Sequence, residues 1–343
     1  MREAVISFPM FGDNFSLDLP ASLNAFLARL GLGPLPLDIY FYGLIIALGL
    51  LLAVFYVSRV CGRFHMTMDA VYDYLIWAVI AAVVGARLYY CVTYTDAEGV
   101  RSYLQDPVSF FRIRDGGLAI YGGVIGAAAA LVFRARARKE SVWKALDVMS
   151  LGLLIGQSVG RWGNFFNREA YGYETGIFCR MGLTLYGSTV YVHPTFLYES
   201  LWNALGFLLL HLHSKRYRRY QGQYFLLYLV WYGFGRMLIE GLRSDSLWLI
   251  PGSIRISQVL AALTFVLGGV LYLINRSRLQ LGMKLLAGCL DADDPSPVPK
   301  AAPVPEAEAS PEPSAPPAPA EEAAGEAPAE TQPASPEDGE ASQ

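Results

Sequence analysis

Seven stretches of this chain are continuously apolar, near residues 40–60, 70–90, 117–133, 145–164, 194–212, 223–240 and 254–275. A helix needs about 20 residues to cross a hydrocarbon core of roughly 30 Å, and each stretch has about that length. Lipid offers the backbone no hydrogen-bond partners, so an isolated strand cannot cross it and a helix can. The sequence therefore predicts an all-α, polytopic integral membrane protein with about seven transmembrane helices.

The charge pattern gives the orientation. Residues 291–343 hold thirteen acids against one lysine, so the net charge of −3 conceals a body that is +9. The basic residues gather in "FRARARKESVWK" after the third stretch and "HSKRYRRYQG" after the fifth, with Arg59 and Arg63 after the first. By the positive-inside rule that side is cytoplasmic, which puts the N-terminus outside and the C-terminus in the cytoplasm. Residues 1–39 then form an extracytoplasmic arm, 40–285 the membrane domain, and 286–343 a cytoplasmic tail. That tail, acidic and rich in Pro, Ala and Glu, has too little apolar surface to offset its chain entropy and is expected to be disordered. Its partner is left open.

Several function classes fall away at this stage. The N-terminus has an acid among its first charges and no continuous apolar core, so no cleavable signal peptide is read. Cys61, Cys91, Cys179 and Cys289 show no CxxC and no adjacent histidine, so neither a zinc site nor a disulfide framework is indicated, although Cys91 and Cys179 both face outward and are able to pair. No aromatic and basic interleaving suggests nucleic acid, and no metal or other cofactor is expected.

With that orientation, polar residues collect at the outer end of the helices. Arg161 and Asn164 close the fourth stretch, Arg236, Glu240 and Arg243 the sixth with Tyr232 at mid-depth, and Arg87 and Tyr90 the second. Tyr42, Tyr121, His193 and Glu199 open the first, third and fifth stretches from the same side. Arg236 and Glu240 are four apart and share a helix face. Each guanidinium drawn into a low-dielectric site costs several kcal/mol unless an anion compensates it. Glu169, Glu199 and Glu240 can partner some of these arginines, and surplus positive charge here invites a lipid phosphate. Asp73 and Asp147, near the cytoplasmic ends, read as structural.

The box "GRWGNFFNREAYG", residues 160–172, resembles the signature of the prolipoprotein diacylglyceryl transferase family. "FYGL" at 41–44, "GARLYY" at 85–90, "DGGLAIYGGVIG" at 115–126, "HPTFLYE" at 193–199 and "YGFGRMLIEGLRSD" at 232–245 are similar to further family motifs, and the likeness runs over about residues 35–280. The resemblance implies transfer of the diacylglyceryl group of phosphatidylglycerol to the lipobox cysteine thiol of a preprolipoprotein. A thioether forms and glycerol phosphate leaves. The nucleophile then belongs to the substrate, which fits a chain offering none of its own. The implied location is the bacterial inner, or cytoplasmic, membrane, with the site toward the extracytoplasmic leaflet.

Carried over by position, Arg161 and Arg236 hold the lipid phosphate and stabilise charge on the leaving group. Asn164 is a further catalytic position, and Glu169 and Glu240 orient the arginines. Tyr42, Arg87, Tyr90, Asn167, Gly172, His193, Glu199, Tyr232 and Arg243 form the substrate-binding set. One position departs from the family pattern: Tyr121 precedes Gly122 and Gly123 where many members have histidine, the residue regarded as the base for the thiol. A phenol with an ordinary pKa of about 10 is a poor base at neutral pH. Three routes remain: Tyr121 with its pKa depressed by arginines, another group such as His193 or Glu169, or a positive field that makes the thiol ionise. The last is adopted here, since a thiol near pKa 8.5 needs only a modest shift.

Two rivals are weighed. A CDP-alcohol phosphotransferase needs spaced aspartates after a DGxxAR box, and "DGGLAI" is followed by no arginine and no second Asp at helical spacing. A lipid or anion transporter without transferase activity commonly shows inverted repeats and midplane sites, and here no repeat appears and the polar groups crowd one end. The segment from 165 to 193 is expected to overlie the site, as a gate or as a rigid cap.

Overall fold

The computed structural model describes residues 5–12, 15–94, 107–111, 116–185, 188–246, 248–250 and 252–291. Of the tail expected over 286–343, residues 292–343 lie outside the described residues, while 286–291 are tied to the body through Asn275, Gln221 and Arg218. Among the described residues, a short helix α1, Leu23–Arg29, is followed by seven long ones: α2 Phe41–Val60, α3 Met68–Thr93, α4 Ile120–Ala137, α5 Val142–Asn167, α6 Thr195–Ser214, α7 Gln223–Glu240 and α8 Ile256–Gln280. They coincide with the seven apolar stretches. Among the described residues, five helical segments are long and apolar enough to cross a membrane: Phe41–Phe64, Met68–Thr93, Ile120–Ala137, Val142–Asn167 and Ile256–Gln280. In α6 and α7 the same length is diluted by Glu199, Asn203, Arg236, Glu240 and many Tyr and Trp side chains, the residues that build the polar interior.

The outward faces are apolar. Leu44, Leu48, Leu51 and Phe55 on α2 and Leu263, Val266, Val270 and Leu273 on α8 are all exposed in the isolated chain, as lipid-facing residues are. Between helices the contacts depend on small residues, because packing rather than hydrophobic exclusion holds helices together in lipid. Where α3 meets α4, a Cβ on Gly85 would run into the Gly122 carbonyl, and one on Gly126 into the Ala81 carbonyl. The close approach is thus possible only with glycine at these points.

Two reciprocal clamps fix α5, α6 and α7 against one another. Ser158 and Ser200 each donate a hydroxyl to the other's carbonyl at 2.9 Å, joining α5 to α6. The Trp202 indole donates to the Trp231 carbonyl at 3.0 Å and the Trp231 indole to the Trp202 carbonyl at 2.9 Å, joining α6 to α7. The two rings stack at 4.3 Å. At the opposite end of the bundle the buried Asp147 carboxylate accepts the backbone N–H groups of Gly222, Tyr224 and Phe225 at 2.8–2.9 Å. It caps the start of α7, satisfying amides that a helix N-terminus otherwise leaves without partners. Asp73 forms a bidentate pair with Arg134, at 3.0 and 2.7 Å. Both acids therefore join elements, as the structural reading held.

A small sheet adds strand to the expected helical fold. The strands β1 Val5–Ser7, β2 Ser16–Leu17, β3 Met181–Leu185 and β4 Ser188–Val192 lie in the order β2-β1-β3-β4, all antiparallel neighbours. Ile6, Phe8, Met181, Leu183 and Val192 bury against Phe165 and Phe196, so the N-terminal arm and the 165–193 segment share one apolar core at the ends of α5 and α6. A second hairpin pairs β5 Trp248–Ile250 with β6 Ile254–Arg255. The strands are too short and too separated in sequence for alternation to reveal them.

Asp147→Ala removes three charge-assisted hydrogen bonds at once and should cost about 3 kcal/mol. Thermal unfolding in mild detergent checks this, with Asp147→Asn, which keeps an acceptor, falling between the two.

Candidate active site

Because α5 runs toward one end of the bundle and α6 starts there, Arg161 and Glu199 come from opposite directions to the same level, and α7 delivers Arg236 beside them. The Glu199 carboxylate, 3% exposed, lies between three guanidinium groups. Its Oε2 pairs with Arg161, its Oε1 with Arg236 at 2.6 Å, and Arg243 stands 3.6 Å from the same Oε1. Arg236 also pairs with Glu240, four residues on, at 2.5 Å. Arg161 donates to Asn164 at 3.4 Å, and the Asn164 amide donates to Glu169 at 2.9 Å. Arg161, Asn164, Glu169, Glu199, Arg236, Glu240 and Arg243 thus form one connected array.

The arginines are not sealed. Their side chains retain 21% exposure at Arg161, 15% at Arg236 and 12% at Arg243, whereas Glu199 retains 4%. A guanidinium has five donors, so each can hold a carboxylate and still present N–H groups to an incoming oxyanion. Past the end of α7, burial works against the Arg243 charge, but Asp245, Glu199 and Glu240 more than offset it and raise its pKa. Burial likewise opposes ionisation of Asp245, yet the bidentate bond from Arg243, at 2.9 and 2.7 Å, holds its carboxyl below the usual range. Stability from that pair is present above the ordinary carboxylate pKa and is lost as pH falls through the depressed value.

The chain leaving α5 turns sharply. Arg168 and Ala170 both have positive φ, 55° and 57°. Left-handed conformations at residues with a Cβ cost about 1–2 kcal/mol each and concentrate at functional sites. The turn returns Glu169 toward Asn164, whose carbonyl accepts the Glu169 N–H at 3.0 Å. Gly172 follows, donating its N–H to the His193 carbonyl at 2.9 Å and pairing with Arg243 in an antiparallel bridge. A Cβ there would stand 2.6 Å from the His193 Cβ and 2.7 Å from the Leu242 carbonyl, so only glycine lets these strands meet. His193 acts in this frame through its backbone, and its ring lies 3.4 Å from the Tyr198 hydroxyl. Tyr42 packs its ring against Gly163 on α5.

Several other members of the expected set are held by partners outside the Glu199 array. Arg87, 1% exposed, donates to the carbonyls of Phe110, Gly116 and Gly117 and so anchors the chain entering α4. Tyr90 stacks on Tyr94 at 4.8 Å, and Tyr232 on Tyr228 at 5.6 Å. Asn167 is exposed in the last turn of α5. The Tyr121 hydroxyl bonds Ser257 at 3.2 Å, at the start of α8, and among the described residues it makes no hydrogen bond to an arginine.

Sequence reasoning missed Arg255. It is 6% exposed, lies over the rings of Trp248 and Tyr173, and donates to the Glu240 carbonyl and, at 3.2 Å, to the Tyr173 hydroxyl. The guanidinium ties the β5–β6 hairpin and the 171–174 segment to the end of α7 that carries Glu240. A lone cation just before an apolar helix, after Trp248, was the available signal. Cys91 and Cys179 carry free thiols, and among the described residues no three His, Cys, Asp or Glu side chains gather to hold a metal.

Glu199→Ala leaves three guanidiniums facing one another and should cost about 3–5 kcal/mol, as for breaking a buried pair. Asp245→Ala, at a side chain 48% exposed, should cost about 1 kcal/mol or less. Unfolding both variants in one detergent compares them.

Known proteins resemble this chain over the part that carries the array. The family model described as prolipoprotein diacylglyceryl transferase matches residues 31–274. A phosphatidylglycerol–prolipoprotein diacylglyceryl transferase of Enterococcus faecalis is 42% identical over 251 residues, 70% of this chain and 87% of the relative. Proteins of the same name from Bacillus cereus and Lactiplantibacillus plantarum are each 40% identical over 253 residues, 71% of this chain and 90% and 86% of theirs.

Proposed function

Because the chain belongs to the prolipoprotein diacylglyceryl transferase family, we propose that its Glu199-centred arginine array is where the diacylglyceryl group of phosphatidylglycerol is passed to a prolipoprotein. The enzyme is a transferase and a multi-pass membrane protein. The single observation that carries the site assignment is that Arg161, Arg236 and Arg243, from two helices and a loop, converge on one buried carboxylate inside the family-matched region.

The array binds the phosphate through donors that Glu199, Asn164 and Glu240 leave free on Arg161 and Arg236. The lipobox cysteine sulfur attacks the glyceryl carbon that bears the phosphate ester. A carbon–sulfur bond forms, the carbon–oxygen bond breaks, and its electron pair departs on glycerol phosphate, whose growing charge the two guanidiniums stabilise. The thiol proton passes to water at the mouth of the site, and the positive field lowers the thiol pKa enough for that loss. Glu199 and Glu240 keep the arginines oriented and prevent excess uncompensated charge when no lipid is bound. Tyr42, Asn167, Gly172, His193 and Tyr232 shape the approach around the array, while Arg87 and Tyr90 act one step removed by setting the chain before Tyr121.

In this reading α6 and α7 also span the membrane, giving seven crossings. The basic loops at 134–139 and 215–219 face the cytoplasm, and the array lies toward the outer leaflet of the cytoplasmic membrane. The transporter alternative draws no support from the relatives, which carry the transferase name.

Tyr121 bonds Ser257 rather than an arginine, which favours the field account over a tyrosine base. Tyr121→Phe should retain measurable transfer to a lipobox peptide, within about tenfold of wild type. Arg161→Ala should lose at least about a hundredfold, the scale seen when a charge-stabilising donor is removed. Equal, complete loss in both folded variants would count against the field account.

A further inference from the structure

At the end of the bundle opposite the array, the ends of α6, α7 and α8 and the loop between α6 and α7 line a half-open cavity of about 190 Å³. His213, Tyr217, Arg219, Tyr220, Tyr272 and Arg276 are among the residues lining it. The neighbouring Arg218 is committed to a bidentate pair with Asp291, at 3.0 Å on both arms, and Asp147 to the amides of α7. Arg219 and Arg276 differ from it. Among the described residues, neither guanidinium takes part in an ion pair or a hydrogen bond.

The wall is built rather than incidental. Gln223 accepts the Arg219 N–H at 2.8 Å and donates to the Tyr217 carbonyl at 3.0 Å, fixing the loop that carries the basic side chains. The His213 ring bonds the Tyr224 hydroxyl at 3.0 Å and packs on Tyr217. Tyr220 is 2% exposed, and among the described residues its O–H has no acceptor, although the Asn275 amide lies close enough to donate to the phenol oxygen. Asn275, close by, is committed to the backbone of Leu286 and Ala287. Burial pushes the Tyr220 phenol up to about 12, so it stays a neutral O–H donor.

Two unpaired guanidiniums and a phenol donor without an acceptor match a phosphate oxyanion. The helices that carry the lining residues also have exposed apolar residues within two turns of them, Leu273 and Val270 on α8 and Leu212 and Leu208 on α6. Acyl chains can lie along those faces while the headgroup sits among the arginines, the arrangement by which basic pockets between helices take anionic lipids. We propose that this cavity is a second phosphate site, separate from the arginine array, that holds the headgroup of an anionic phospholipid in the leaflet at that end.

The test uses the full chain in neutral detergent, in an Arg161→Ala background so that the array contributes little phosphate binding. Dioctanoyl phosphatidic acid, dioctanoyl phosphatidylcholine and inorganic phosphate are titrated while thermal unfolding is followed. Phosphatidic acid should raise the unfolding temperature by several degrees. The midpoint should move to at least tenfold higher lipid when Arg219→Gln and Arg276→Gln are added, and several-fold higher with Tyr220→Phe alone. Both arginines are exposed, so the lipid-free unfolding temperature of these variants should match the parent. No stabilisation, or an equal response after the arginine substitutions, overturns the site. An equal response to phosphatidylcholine overturns its selectivity for anions. An equal response to inorganic phosphate overturns the lipid and leaves a soluble-anion site.

Discussion

One carboxylate carries the electrostatic balance of this protein. Glu199 is nearly inaccessible, and three guanidiniums meet it from α5, from α7 and from the loop beyond α7. Buried among apolar helices, like charges at such separations repel strongly, and no amount of helix packing in lipid readily offsets several of them unneutralised. The arrangement of the surrounding helices follows from that requirement. Ser200 adjoins Glu199 and locks α6 to α5, and Trp202, three residues on, locks α6 to α7. Fixing the carboxylate fixes the cations.

Neutralisation is shared rather than complete at every atom, which distinguishes this array from the other ion pairs described. Arg134 and Asp73 satisfy one another bidentately, as do Arg218 and Asp291. Arg161 and Arg236 instead divide their donors among several partners and remain partly open. A phosphate can enter without first breaking a two-pronged pair, so binding does not require the cluster to be dismantled. Preorganised donors of this kind stabilise charge developing on a leaving group without reorganisation during reaction.

Much of this was legible in the sequence. The seven apolar stretches mark the seven long helices, and the box from Gly160 to Gly172 together with Glu199 and the Arg236–Arg243 stripe marks the array, because intramembrane charges are few and conspicuous. The pairing within the array was not legible. Nothing in the spacing says that Glu199, read first as one partner among three, becomes the shared centre. Position along a helix does not give azimuth, and the side chains of Tyr121 and Arg87 turn to Ser257 and to the Gly116–Gly117 carbonyls. Arg255 and the sheet depend on residues far apart in the chain, such as Val5 opposite Thr184, and single-sequence periodicity holds no such information.

The most direct test is the dipolar coupling between the phosphorus of bound phosphatidylglycerol and Cζ of Arg161 and Arg236, measured on selectively labelled protein in bilayers. Hydrogen-bonded contact predicts separations of about 4 Å to both carbons. A substrate phosphorus held far from both arginines in an enzyme that still turns over would contradict the account.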